Sequence, residues 1–161
     1  MKKLYTLPQL KKAISEQKKK GGKIVLANGC FDLIHAGHIR YLKESKKKGD
    51  ILVVALNSDS SVRSLKGKGR PILRQRERAD ILSSFYFVDY ITFFKEPNVE
   101  KVLLALKPSI HAKGSDYTEE TVPEKEIVKS YGGKVAITGG PKIRSTSQVI
   151  GRIVSLAKKG K

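Results

Sequence analysis

The residues of this chain best suited to chemistry are His35 and His38, three positions apart in the run Asn28-Gly29-Cys30-Phe31-Asp32-Leu33-Ile34-His35-Ala36-Gly37-His38. The run leaves an apolar segment and enters a helical pattern, so both imidazoles project to one side of a helix start. Glycines at this point let the backbone turn sharply and come close to a ligand. The free N–H groups of the first helical turn point the same way and make an anion site. Such a set suits a triphosphate: backbone donors hold it, and imidazoles neutralise charge that builds on phosphorus during transfer. Two other readings of the pair stand beside this one. The histidines are two ligands of a zinc site whose third ligand is Cys30 or Asp32, or they are satisfied core residues. Cys30 reads as a small filler under the loop, since nothing nearby would activate it as a nucleophile. Neither a Walker sequence nor G-x-G-x-x-G follows the first apolar run, which weakens the standard kinase, GTPase and dinucleotide readings.

Further polar residues fall where apolar runs end. Asp59 follows the second run, as a site residue or as the cap of the next helical turn. Residues 64–70 form a basic, glycine-containing stretch. It is either a mobile flap whose Lys66 reaches the triphosphate or acceptor phosphate, or a solvated linker. Lys113-Gly114-Ser115-Asp116-Tyr117 follows another strand pattern. There Gly114 lets a base approach the backbone, and Asp116 meets the acceptor or an adjoining loop. His111, inside the strand, reads as structural. Ser145, Thr146 and Ser147 open the last helical stretch and offer a second anion site, with Ser145 also a ready N-cap. No acidic cluster builds a dedicated metal site, so Mg²⁺ is expected to arrive on the triphosphate.

These residues need a scaffold, and the pattern supplies one. Residues 23–28 and 51–57 are nearly continuous in apolar side chains, as strands buried on both faces of a parallel sheet are. Residues 90–94, 109–113 and 134–138 are weaker strand candidates. Helices are expected over 7–20, 35–48, 74–84, 99–106, 124–131 and 145–158, with Arg74, Glu77 and Arg78 on a solvated helical face. Alternation of this kind predicts a Rossmann-like three-layer α/β/α fold with a doubly wound, mostly parallel sheet, in one domain over 1–161. In such sheets ligands bind beyond the C-terminal strand ends, where strand order reverses.

Composition narrows the class. The chain has 161 residues, 39% of them hydrophobic, and no apolar run near the roughly 20 residues of a membrane span. With no apolar segment after the basic N-terminus, a cytoplasmic protein is expected. A single cysteine excludes an internal disulfide. Thirty-three Lys and Arg against fifteen Asp and Glu give a formal charge of +18. That excess favours polyanionic partners, although much of it sits in short lysine runs at predicted helix ends, where cations complement the helix dipole in solvent.

The H-x-G-H run, with Asn57-Ser58-Asp59, Arg70-Pro71, Gln75-Arg76, Lys113-Gly114-Ser115-Asp116-Tyr117, Tyr131-Gly132-Gly133 and Arg144-Ser145-Thr146-Ser147, resembles the H-x-G-H nucleotidyltransferase superfamily. Within its cytidylyltransferase-like branch, the combination is most similar to the heptose 1-phosphate adenylyltransferases, over nearly the whole chain. The resemblance implies transfer of AMP from ATP to a sugar 1-phosphate with release of pyrophosphate. It implies catalytic roles for His35, His38 and Lys66. Asn28, Gly29, Cys30, Phe31, Gly37, Lys113, Gly114, Arg144, Ser145 and Thr146 would bind the nucleotide, and Asp32, Asp59, Arg76 and Asp116 the acceptor. Where glycerol 3-phosphate cytidylyltransferases carry Arg-Thr-Glu-Gly, this chain has Gly139-Gly140-Pro141-Lys142-Ile143, leaving Arg144 or Lys142 to replace that arginine. A cytidylyltransferase using CTP and an alditol phosphate is the enzymatic alternative, a flavin-nucleotide adenylyltransferase a more distant one. A basic nucleic-acid-binding protein is the alternative of another class. Members of the branch are commonly homodimers.

Overall fold

The computed structural model describes residues 3–141 and 144–160. Five strands form one sheet: β1 (Ile24–Gly29), β2 (Ile51–Asn57), β3 (Tyr90–Phe94), β4 (Ile110–Gly114) and β5 (Lys134–Thr138). Their order is β3-β2-β1-β4-β5, and every neighbouring pair is parallel. The chain builds outward from β1 to β3, then returns to place β4 on the other side of β1. The order therefore reverses between β1 and β4, where a parallel sheet opens its ligand crevice.

The helices among the described residues are α1 (Leu7–Lys19), α2 (Ala36–Lys46), α3 (Asp59–Lys66), α4 (Gln75–Ser84), α5 (Glu100–Leu106), α6 (Lys125–Ser130) and α7 (Thr146–Lys159). Strand alternation sorts the core into two layers. Val25, Ala27, Leu52, Val54 and Leu56 pack with Tyr41 and Leu42 of α2 and Ala79 and Leu82 of α4. Ile24, Leu26, Ile51, Val53 and Ala55 pack with Leu10 and Ile14 of α1, Val102, Leu103 and Leu106 of α5 and Val128 of α6. Both faces of β1 and β2 are covered, which explains their unbroken apolar runs.

Three differences from the sequence pattern matter. Residues 59–66 form α3, so Lys66 closes a helix, and only the residues after it form a loop. Expected helix ends move by one or two residues, as with α2, which spans Ala36–Lys46, whereas α1 starts at Leu7 as expected, capped by Thr6 with Gln9 in a capping box. And α7 leaves none of its residues buried: Ile153, Val154 and Leu156 are each about half exposed or more, at 56%, 47% and 59%. No described helix is long and apolar enough to cross a membrane.

The two core layers set the stability. Leu26→Ala, in a fully buried position, is expected to cost about 2–5 kcal/mol in urea unfolding. Ile153→Ala on the exposed face of α7 should change it by less than about 0.5 kcal/mol. Equal effects would show that α7 is part of the folding core.

Candidate active site

The C-terminal ends of β1 and β4 form the floor of a cleft of ≈ 490 Å³. The first turns of α2 and α7 and the end of α3 line it. Across the floor, His111 Nε2 lies 3.1 Å from Asn28 Oδ1. Because that oxygen only accepts, the neutral ring carries its proton on Nε2 and donates it. His111 is fully buried, and burial first, then the nearby Lys113 ammonium, push its pKa down to about 3. A neutral, structural histidine thus holds Asn28 at the switch point.

His35 is the N-cap residue of α2 but makes no side-chain cap bond. Its ring instead stacks on His38, with centroids 3.8 Å apart and planes 22° apart. Gly37 makes this possible: a Cβ there would come within 3.0 Å of the His35 ring, and 3.6 Å from the backbone oxygen of Arg144. Phe31 supports the pair from below. Its backbone is left-handed at φ 44°, its ring is buried, and it meets His38 edge-on at 5.3 Å. Burial lowers the pKa of His35. Burial, then His35, lowers that of His38 to about 4. Both Nδ1 atoms are buried without a hydrogen-bond partner among the described residues. Near neutral pH the site therefore offers two neutral, stacked imidazoles beside a helix N-terminus.

Cationic groups surround them. Lys66, Lys113 and Arg144 all line the cleft. Lys66 and Arg144 are exposed, whereas Lys113 is buried, 3.3 Å from the Glu124 carboxylate and 4.6 Å from the Tyr117 ring centroid. Ser145 uses its hydroxyl to cap α7, accepting from Gln148 N, while Gly29, Cys30, Gly114, Asp116 and Thr146 also line the cleft. Lys142 lies outside the described residues. The Cys30 thiol is pushed up by burial despite nearby Lys66, Arg78 and Arg70, which suits a filler and not a thiolate nucleophile. Among the described residues, no three His, Cys, Asp or Glu side chains gather where they would hold a metal ion.

The four residues expected at the acceptor are placed unequally: Asp32 and Asp116 line the cleft, whereas Asp59 and Arg76 do not. Asp32 is 1% exposed and its carboxylate is fully engaged. It accepts from Arg70 Nε at 2.7 Å and from the backbone N–H groups of Ile72 and Leu73 at 2.9 Å. Burial would raise its pKa, but those donors outweigh it and hold the carboxyl below the usual range. It anchors the 70–73 loop at the edge of the cleft, which it also lines. Arg76 is exposed on α4 and does not line the cleft. Arg78, expected on a solvated face, is fully buried. Its guanidinium donates to the Cys30 carbonyl at 2.5 Å, the Leu73 carbonyl at 3.0 Å and Asp59 Oδ1 at 2.8 Å. Asp59 is thereby committed to Arg78 and is also absent from the cleft lining. The helical period gives only a weak signal: around the direction set by Ala79 and Leu82, positions 78 and 76 lie about 70° and about 90° away.

The chain matches the cytidylyltransferase-like family over residues 26–148. Bifunctional protein HldE of Pelobacter propionicus is 47% identical over 141 residues, covering 88% of this chain and 29% of that protein. Its counterpart from Geobacter metallireducens is 45% identical over 152 residues, covering 94% and 31%. The chain thus spans less than a third of the length of these curated relatives. Among solved structures, a lipopolysaccharide core biosynthesis protein from Thermoplasma volcanium is 36% identical with a TM-score of 0.61, over 73% of this chain and 94% of that one. A pantoate-beta-alanine ligase from Francisella tularensis, 19% identical with a TM-score of 0.63 over 90% and 69%, shares the fold.

Two outcomes follow from the buried groups. Arg78→Met leaves Asp59 and two carbonyls without their donor and is expected to cost about 3–5 kcal/mol in urea unfolding. Arg76→Met should stay within about 0.5 kcal/mol, and the reverse ranking would refute the assignment. In acid, the unfolded His38 side chain titrates near 6.5 but the folded one near 4. The unfolded state then binds more protons, so stability is full above about 6.5 and falls as pH drops towards about 4. His38→Gln should flatten that part of the stability–pH curve; an unchanged slope would mean that His38 is not buried neutral.

Proposed function

This chain belongs to the cytidylyltransferase-like family, and from that premise we propose that it transfers AMP from ATP to a heptose 1-phosphate, releasing pyrophosphate. The observation that carries the reaction class is the stacked, neutral His35–His38 pair at the start of α2, sharing one cleft with Lys66, Arg144 and the first turn of α7. Two helix N-termini and several cations at one cleft suit a triphosphate. Similarity of the sequence motifs to heptose 1-phosphate adenylyltransferases, and to the lipopolysaccharide core biosynthesis protein, supports a sugar phosphate acceptor. The cytoplasm, where ATP is made, is the proposed compartment.

In this reading an acceptor phosphate oxygen attacks the α-phosphorus of ATP. The bond from that phosphorus to the bridging oxygen of the β-phosphate breaks, and pyrophosphate leaves with the bonding electrons. The nucleophile is already anionic, so no general base is required. The protein's work is positioning and charge stabilisation. His35 and His38 each donate an N–H to phosphate oxygens, and the approach of that negative charge raises their pKa values from the low starting point. Lys66 and Arg144 balance charge moving to the leaving group. Mg²⁺ carried on the triphosphate would add charge neutralisation to that of Lys66 and Arg144. Arg78 and Asp32 touch no substrate; they hold the loops that carry the groups which do.

Pyrophosphate release in the presence of Mg²⁺ tests the proposal, pairing ATP or CTP with heptose 1-phosphate or glycerol 3-phosphate. Release is expected with ATP and the heptose phosphate, and His38→Ala should lower it by at least about a hundredfold. Release confined to CTP would replace the base and keep the chemistry. Silence in all four pairs, with tight RNA binding at physiological salt, would favour the nucleic-acid reading.

A further inference from the structure

The loop after β5 is fastened to α2 by side chains that the reaction itself does not use. Arg40, two residues beyond His38, donates from Nε to the Gly139 carbonyl at 2.6 Å and from Nη2 to the Pro141 carbonyl. One turn further, Glu44 accepts from the Gly139 N–H at 2.6 Å. Ser45 and Thr138 share a buried hydroxyl contact at 2.9 Å. Gly139 sits at φ +98°, and a Cβ there would lie 3.2 Å from Tyr41 Cα. Backbone and helix therefore meet too closely for any larger residue.

This fastening matters because of what α7 lacks. Its first turn lines the cleft through Ser145, Thr146 and Ser147, but the helix buries none of its residues. Core packing therefore does little to fix where that turn stands. The 139–141 loop leads into the segment that opens α7, and its described contacts run to the helix that carries His38. We propose that Arg40 and Glu44 are positioning residues that set the spacing between the two phosphate-binding walls, the starts of α2 and α7. Arg40 is suited to this because its planar fork serves two carbonyls at once; a lysine ammonium is a point donor without that geometry. The inference rests on the proposed nucleotidyl transfer for its kinetic consequence, but not for its structural one.

Two measurements on the full chain separate these. Amide hydrogen exchange of residues 138–147 reads the clamp directly. Arg40→Met is expected to speed exchange at Gly139 and in the first turn of α7 at least tenfold, while β1 and α2 keep wild-type protection. Steady-state pyrophosphate release reads the consequence. Arg40→Met should lose at least tenfold in kcat/KM for ATP with KM for the acceptor little changed, and Arg40→Lys should recover part of that loss. Wild-type exchange in Arg40→Met would overturn the proposal, as would wild-type kinetics. A uniform rise in exchange over the whole chain, with Arg40→Lys no better than Arg40→Met, would make Arg40 a general stabilising residue and would overturn it too. If the wild-type chain releases no pyrophosphate, the proposed reaction fails and the exchange result alone decides the clamp.

Discussion

The buried guanidinium of Arg78 is the constraint on which this site depends. A charge taken fully out of water is tolerated only where its donors are matched. Here they are matched by the carbonyls of Cys30 and Leu73 and by Asp59. Those three partners belong to different segments: the loop that leaves β1, the loop before α4, and the first turn of α3. Asp32 ties the first two together again through Arg70 and the N–H groups of Ile72 and Leu73. The run bearing the two histidines is thus fixed from beneath by a small polar network within a largely apolar core. Its cost is the desolvation of ions, and what it secures is the path of the loop beside the helix start.

With the loop held, the electrostatics of the cleft become simple. Burial keeps His35 neutral, and burial together with His35 keeps His38 neutral, so the cleft does not carry two extra cations. In the proposed reaction a triphosphate would change their surroundings more than any protein group does. Donors held in place beforehand would need little reorganisation as charge shifts towards the leaving group. Lys113 follows a different rule. It is buried and balanced by Glu124, so it shapes the end of β4 at least as much as it attracts an anion.

The sequence made much of this legible, for identifiable reasons. β2 can be read residue for residue because it is buried on both faces and its run is wholly apolar up to Asn57; the edge strands β3 and β5 show weaker runs, and α2 can be placed because glycine and histidine punctuate its start. The cleft residues of the β1–α2 loop and the α7 start came from motif spacing, which is local. What the sequence does not show is non-local. Asp32, Asp59 and Arg78 sit 19 to 46 positions apart, and no helical or strand period links the carboxylate that opens α3 to a guanidinium on α4. The burial of Arg78 is not legible either, because the helical period around Ala79 and Leu82 separates positions 76 and 78 only weakly. Residues 64–66 read as part of the 64–70 flap because lysines and glycines dominate that stretch, whereas they form the last turn of α3.

The cleft that results is unequal in its support. Its floor is made by strand ends whose apolar neighbours are buried on both faces, with His111 bridging β4 to β1. Its walls are different: α3 buries two residues and α7 none. Segments with few buried apolar contacts open at lower free energy than the core does. That division suits a transferase whose substrate and leaving group both carry several negative charges. In the proposed reaction the floor would fix the line of attack, where small displacements are costly. The walls would bring cations and helix N-termini to the phosphates and let a charged product out. A wall so lightly packed is held in place by a few directional hydrogen bonds, and the bonds from Arg40 and Glu44 to the 139–141 loop are of that kind.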